Sequence, residues 1–97
     1  MKYKLKYSPD ASDKLHELKK QIVASHGTRV ATKILSKILS EIRGLQDNPE
    51  KEPSVEALLG IPTPYRFLYV EHNYAFYRLE EDTVFVTDMY NEREDFM

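Results

Sequence analysis

The sequence predicts an α+β fold in which an antiparallel sheet is covered on one face by a hairpin of two helices. Three observations predict it. An alternating N-terminal segment has the period of a strand, the next two segments repeat apolar residues every three or four positions, and the last third is rich in aromatic and β-branched residues. The predicted element order is β-α-α-β-β-β, within a single domain of residues 1–97.

The first predicted strand covers residues 2–7, where KYKLKY alternates lysine with apolar or aromatic residues. Because neighbouring strand residues point to opposite faces, Tyr3, Leu5 and Tyr7 are expected to face inward. The three lysines then share the other face. Two interpretations of them stay open: they keep an edge strand soluble, or they contact phosphate.

Two amphipathic helices are predicted between residues 8 and 49. Ser8 and Pro9 have the residue types of an N-cap and a first helical position. Gly27 is the expected stop of this helix, and Thr28 is the expected N-cap of the next. Two helices joined by about three residues must run antiparallel, as a helix hairpin.

A connector and three strands follow. The connector, residues 47–64, holds four of the five prolines and includes one predicted helical turn at Val55–Leu59. The strands are predicted at 65–71, 73–80 and 83–90, with short turns at 71–73 and 81–82. Turns this short make the strands consecutive antiparallel hairpins.

Alternation along these strands divides their residues between two faces of the sheet. The phase expected beneath the helices contains Leu68, Val70, Tyr74, Phe76, Val84 and Val86. The opposite phase contains Phe67, Tyr69, Tyr77, Phe85 and Met89. Exposed apolar and aromatic side chains of this kind mark a partner surface, unless the connector folds over them. A one-residue bulge would exchange some of these assignments.

Composition excludes several classes of function. The chain has no cysteine, which excludes disulfides, Cys-ligated metals and a thiol nucleophile. Three scattered histidines have no metal-ligand spacing, and three glycines form no phosphate loop, so no metal and no cofactor are expected. No apolar run approaches the roughly 20 residues of a membrane span, and a secretory signal is not recognisable. We therefore expect a cytoplasmic protein that does not contact membranes.

The small net charge of -2 hides an uneven distribution. Residues 1–43 carry ten basic and four acidic groups, whereas residues 44–97 carry four basic and twelve acidic groups. Such asymmetry suggests that the two parts of the chain meet different partners, or each other.

The C-terminal strands carry an ordered set of short motifs: YR-x-L, NY-x-x-FYR, V-x-V and a closing Y-x-x-R-x-D-aromatic segment. Their residues are Tyr65, Arg66, Leu68, Asn73, Tyr74, Phe76, Tyr77, Arg78, Val84, Val86, Tyr90, Arg93, Asp95 and Phe96. With the preceding strand and helix hairpin, this set resembles the RelE/ParE superfamily of bacterial toxin–antitoxin toxins. The resemblance extends over the whole chain in element order and is densest from Leu59 to Phe96.

The resemblance implies a growth-inhibiting toxin of a type II system, of the kind that stabilises plasmids, neutralised by a cognate antitoxin that wraps around it. One branch cleaves messenger RNA on the ribosome, and another poisons DNA gyrase. The expected activity is inhibition of translation by ribosome-dependent messenger RNA cleavage. Two alternatives stay open: a gyrase-directed toxin, or an inactive or weak member whose main property is antitoxin binding.

A metal-independent endoribonuclease needs positive charge on the phosphorane and a proton donor for the leaving oxygen. Arg93, in the closing motif, is the first candidate to bind the phosphate, unless it only pairs with neighbouring acids. Tyr90 would be an acid or an orienting group, and Arg66 and Arg78 would support it. His72 could be a general base, although a solvated turn histidine is the simpler interpretation.

Two positions depart from the ribonuclease pattern. Ala75 stands where these enzymes often carry a basic residue, and Phe96 stands where they often have a tyrosine or histidine. The acidic C-terminal part also opposes RNA binding there, because phosphate contacts supply much of such affinity. For the antitoxin, the expected contact residues are Phe67, Tyr69, Tyr77, Phe85 and Met89.

Overall fold

The computed structural model describes residues 2–92 as two helices packed on one face of a four-stranded sheet. The elements are β1 (Lys4–Tyr7), α1 (Pro9–His26), α2 (Thr28–Gly44), α3 (Val55–Leu59), β2 (Arg66–Val70), β3 (Asn73–Glu80) and β4 (Thr83–Asn91). The predicted fold class and element order are confirmed. No helix within residues 2–92 is long and apolar enough to cross a membrane.

The sheet has the order β1-β4-β3-β2 and is mixed. The pairs β2–β3 and β3–β4 are antiparallel, as predicted, but β1 runs parallel to β4. This parallel pair is possible because the helix hairpin and connector carry the chain across the sheet between the first strand and the last three.

Local sequence explains where the helices begin and end. The Ser8 hydroxyl accepts a hydrogen bond from the Ala11 amide at 3.0 Å and donates to the Thr87 carbonyl at 2.6 Å, so this N-cap also fixes α1 against β4. Gly27, with φ of 90°, is the only residue between α1 and α2 and also takes the N-cap position of α2. The predicted cap, Thr28, is instead the first residue of that helix.

The core lies between the helices and the sheet. Its fully buried helical members include Ala11 on α1 and Ile38 and Ile42 on α2. The sheet residues beneath them, called here the helix-facing side, are Leu68, Val70, Ala75, Tyr77, Val84, Val86 and Met89. The predicted inward phase of β1 is consistent with this packing, since Tyr3, Leu5 and Tyr7 pack against the core.

The predicted phase of β3 is wrong, and a turn explains it. Glu71 and His72 form a two-residue turn with φ of 48° and 64°, so Val70 pairs directly with Asn73. A turn of two residues instead of three shifts β3 by one position. Every side chain of the strand therefore changes face. Ala75 and Tyr77 point to the helices.

Met89 changes face for a different reason. Phe76 pairs with Asp88 and Tyr77 pairs with Val86, which leaves Thr87 as an extra residue in β4. Val84 and Val86 precede this bulge and face the helices as predicted. Beyond it the phase is reversed, so Met89 is only 3% exposed and belongs to the core.

Candidate functional site

The other face of the sheet is lined by aromatic side chains and is called here the aromatic face. Its members are Phe67, Tyr69, Tyr74, Phe76, Phe85 and Tyr90, from the three neighbouring strands β2, β3 and β4. The rings are in contact: the Tyr69 and Tyr74 centroids are 5.1 Å apart, and those of Phe67 and Tyr74 are 5.7 Å apart. Among residues 2–92, both helices of the hairpin pack on the opposite face.

This placement divides the five predicted antitoxin contacts. Phe67, Tyr69 and Phe85 lie on the aromatic face, and Tyr69 is 47% exposed. Tyr77 is 0% exposed and Met89 is 3% exposed, so their predicted surface position is wrong. A buried residue cannot contact a partner without unfolding, and these two therefore belong to the structural core.

Tyr77 connects the core to the connector. Its hydroxyl donates to the Pro49 carbonyl at 2.5 Å, within the protein interior. Burial raises the pKa of the Tyr77 hydroxyl above its ordinary value, because the phenolate would lose its hydration there. The hydroxyl therefore remains a neutral donor and holds the proline-rich segment against the sheet.

Arg66 performs a similar structural task. It shares the strand phase of the buried Leu68 on the helix-facing side, and its Nη1 atom donates to the Glu52 carbonyl at 2.6 Å and the Glu50 carbonyl at 3.2 Å. An isolated bridge also joins Arg66 to Ser54. The guanidinium of Arg66 therefore binds backbone carbonyls of the connector.

Arg78 lies on the opposite face, at the end of the aromatic face near the β3–β4 turn. Its Nε donates to Glu80 at 2.7 Å, its Nη1 donates to the Tyr65 hydroxyl at 2.9 Å, and its guanidinium lies 5.1 Å from the Phe85 ring centroid. The hydrogen bond to Glu80, and then that to Tyr65, raises the pKa of Arg78. This guanidinium already has a carboxylate partner and two aromatic neighbours.

Tyr90 lies on the aromatic face at the far end of β4. Its hydroxyl donates to Asp88 Oδ2 at 2.7 Å, and Lys14 Nζ from α1 lies 4.3 Å above its ring. Tyr90 pairs with Tyr74, four residues along β3 from Arg78, a separation of about 13 Å in an extended strand.

The structure therefore does not bring the described nuclease candidates together. Arg66 is on the helix-facing side, whereas Arg78 and Tyr90 are at opposite ends of the aromatic face. Arg93, the first candidate, and Phe96 lie outside the described residues. Ala75 is fully buried, so even a basic residue at this position would point into the core.

A polar cluster at the end of the sheet was not predicted from the sequence. Tyr69 donates to Glu92 Oε2 at 2.7 Å, and His72 Nδ1 lies 2.6 Å from Glu92 Oε1. The Glu92 amide also donates to the His72 carbonyl at 2.8 Å. The hydrogen bond to Glu92 raises the pKa of Tyr69. His72 therefore joins the β2–β3 turn to the end of β4, a role that depends on pairing across the sheet.

A groove on the outer side of the helix hairpin was not predicted from the sequence. A cavity of about 350 Å³ lies between α1 and α2, and a second depression along α1 continues it. The apolar and basic lining, called here the basic groove, comprises Leu15, His16, Lys19, Lys20, Val23, Leu35 and Leu39. The excess of basic residues in the first part of the chain was the available signal, but it did not show which helix face they occupy.

Comparison with known proteins identifies a family and structures of similar fold. The profile of the family described as "ParE toxin of type II toxin-antitoxin system, parDE" matches residues 5–96. Among solved structures, a chain of the chromosomal ParDE toxin–antitoxin system from P. aeruginosa has a TM-score of 0.78 at 19% identity, covering 92% of this chain and 95% of that one. No curated protein sequence matches this chain.

Proposed function

Because the chain belongs to the ParE toxin family of type II toxin–antitoxin systems, we propose that it inhibits DNA gyrase by binding and is neutralised by a cognate antitoxin. The observation that carries this proposal is the family match over residues 5–96, which favours the gyrase branch of the superfamily over the ribonuclease branch. The likeness to a ParDE chain agrees with the fold of that branch.

The positions of the candidate catalytic residues also favour an inhibitor that acts by binding. For the nuclease hypothesis, an arginine, a proton donor and the phosphate would have to be in mutual contact. Arg66 instead binds connector carbonyls, Arg78 binds Glu80, and Tyr90 donates to Asp88 about 13 Å along the sheet from Arg78. The expectation of ribosome-dependent messenger RNA cleavage therefore gains no support from these three residues, and the ribosome is not retained as the proposed target.

The proposed antitoxin contact is the part of the aromatic face that contains Phe67, Tyr69 and Phe85. Tyr69 is among the exposed large hydrophobic residues of the described chain, and its ring contacts Tyr74 on the neighbouring strand. Aromatic side chains with an apolar body and a polar tip are enriched where proteins bind one another. An antitoxin segment laid across these rings would bury them without disturbing the core beneath.

The test is induction of the chain alone and together with its antitoxin. We expect growth arrest, relaxed plasmid DNA or gyrase-dependent breaks, intact transcripts by primer extension, and recovery on antitoxin co-expression. The purified chain should also inhibit supercoiling by purified gyrase. Cleaved transcripts with normal DNA topology would instead support the ribonuclease activity, and harmless expression of the folded chain would support an inactive member of the family.

A further inference from the structure

Exposed large hydrophobic side chains in the described chain lie on three separate surfaces. Five large hydrophobic residues of residues 2–92 are exposed, and Tyr69 of the aromatic face is one of them. Three others lie at the end of α3 and just beyond its C-cap Gly60: Leu58, Leu59 and Ile61 are 48%, 44% and 60% exposed. This projecting segment is called here the apolar knob. The fifth, Val23, lines the basic groove.

The knob is held in place by hydrogen bonds at its base. Ser54 caps α3 by accepting from the Ala57 amide at 3.1 Å, and Gly60 closes it in the left-handed conformation with φ of 73°. Val55 is buried, and its amide donates to the Tyr65 carbonyl at 2.9 Å. Apolar residues presented by an ordered segment lose less conformational entropy on binding than those of a mobile loop.

Acidic residues surround the base of the knob. Glu50, Glu52 and Glu56 lie in the same connector, and the only basic residue there, Lys51, lies 3.9 Å from Glu52. Glu50 and Glu56 are exposed, whereas the side chain of Glu52 is only 16% exposed. A partner for this segment needs an apolar floor and a basic rim.

The basic groove has both properties. Its floor is formed by Leu15, Leu35 and Leu39, and the ionisable residues in its lining are His16, Lys19 and Lys20. The described residues provide no ion pair for Lys19 or Lys20.

The charges of α1 are divided between two of its faces. Its acidic residues Asp10, Asp13 and Glu17 line a different cavity, together with Lys14 and Asp88, and are absent from the lining of the basic groove. The groove is therefore positive locally, although the whole chain has a net charge of -2.

We propose that the apolar knob of one copy of this chain docks in the basic groove of a second copy, so that the free protein associates head to tail. The two surfaces complement each other in both polarity and charge, and they belong to different elements, α3 and the α1–α2 hairpin. Such a contact is heterologous, because it joins two different surfaces and leaves the pair with one unused knob and one unused groove. The association is independent of the gyrase proposal and of the aromatic face.

The test is sedimentation velocity of the full chain, separated from its antitoxin, over about 0.01–1 mM, the range of weak protein contacts. We expect the wild-type sedimentation coefficient to rise with concentration, and to rise less when salt screens the charges. The knob variant Ile61→Asp and the groove variant Lys19→Glu/Lys20→Glu should each weaken association at least about tenfold. Circular dichroism and thermal unfolding would establish that both variants remain folded.

Mixing the two variants gives the decisive result. The groove variant still has a knob and the knob variant still has a groove, so an equimolar mixture should form dimers that cannot extend further. The matched control, Arg29→Glu/Lys33→Glu, makes the same charge change on the hairpin outside the groove and should associate like the wild type.

A wild-type chain that stays monomeric over this range would overturn the proposal, as would a monomeric mixture or single variants that associate normally. If the wild type is monomeric and only the groove variant loses antitoxin binding, the groove accommodates the antitoxin instead. Because gyrase inhibition is measured separately, failure of self-association leaves that proposal unaffected.

Discussion

The two faces of the sheet use the same kind of residue for different purposes. On the helix-facing side, Tyr77 is fully buried and its hydroxyl holds the connector through Pro49. On the aromatic face, Tyr69 keeps 47% of its surface exposed and its hydroxyl binds Glu92 near the surface. Residue type therefore does not distinguish a core tyrosine from a contact tyrosine. The side of the sheet on which the helices pack makes that distinction.

The same difference separates the two arginines. Arg66 donates to backbone carbonyls that have no other side-chain donor among the described contacts, whereas Arg78 has an exposed carboxylate partner in Glu80. Arginine on the helix-facing side thus organises the connector, and arginine on the aromatic face remains at a surface that a partner can reach.

The largest expected effect is a difference in stability between substitutions on the two faces of the sheet. Tyr77→Ala should lower the free energy of unfolding by about 3–5 kcal/mol, because it leaves a cavity in the core. Phe67→Ala should lower it by about 1–2 kcal/mol, because a half-buried ring leaves no enclosed cavity. Urea unfolding followed by circular dichroism measures both values. Equal losses would show that the two faces are equally structural.

The reverse order is expected for antitoxin affinity among folded variants. By calorimetry, Phe67→Ala should weaken the complex about tenfold or more, since aromatic anchors carry much of the binding energy at interfaces. Glu41→Ala, an exposed change on α2, is the matched control and should leave affinity unchanged. An unchanged affinity for Phe67→Ala would remove the aromatic face from the antitoxin proposal.

The next largest effect is the difference in stability between variants of the two arginines. Arg66→Met should lower the free energy of unfolding by about 1.5–3 kcal/mol, because the Glu50 and Glu52 carbonyls lose a charged donor. Arg78→Met should cost less than about 1 kcal/mol, as is usual for an exposed ion pair. Thermal unfolding ranks the variants by stability. Arg66→Lys keeps the charge, so its stability should lie between those of the wild type and Arg66→Met. A larger loss for Arg78→Met would contradict the assigned roles.

The smallest effect is a pH dependence at the alkaline end. Burial raises the pKa of Tyr77 above the ordinary value of 10.0, so the folded state keeps this proton while the unfolded state releases it. The resulting stability is complete below about pH 10 and falls by up to about 1.4 kcal/mol per pH unit above it. Tyr77→Phe should lack this part of the decline in urea unfolding at about pH 9 and 11. Tyr74→Phe, on the aromatic face, should retain it.

The uneven charge of the sequence acquires a location in the structure. The basic first part of the chain forms β1 and the hairpin with the basic groove, while the acidic remainder includes the knob and the strands β2, β3 and β4. In the proposed head-to-tail association, the acidic connector around the knob of one copy would contact the basic groove of another.

The parts predicted well from sequence are those that depend on local spacing. Ser8 and Pro9 begin α1, Val55–Leu59 form a helical turn, and alternation places Leu68 and Val84 beneath the helices. Each of these features depends on residues a few positions apart, whose capping and amphipathic preferences operate within one element.

The predictions that failed depend on counting residues across strands. One residue fewer in the β2–β3 turn places Tyr77 in the core, and one extra residue at Thr87 does the same for Met89. The partners of Arg66 were likewise not predictable by local spacing, because they are carbonyls more than ten residues away in the chain. A one-residue change of strand register leaves the composition and the alternation of the sequence nearly unchanged. These properties therefore could not have revealed the change.

The sequence by itself determined the element order and the presence of a helix-covered sheet, because hydrophobic period and turn residues are local properties. Its ordered C-terminal motifs carried the resemblance to the family. Only the tertiary structure decided which aromatic residues are buried, which arginine holds the connector and where the basic groove lies. The physical reason is that strand register changes in steps of one residue, and each step moves a side chain from one face of the sheet to the other.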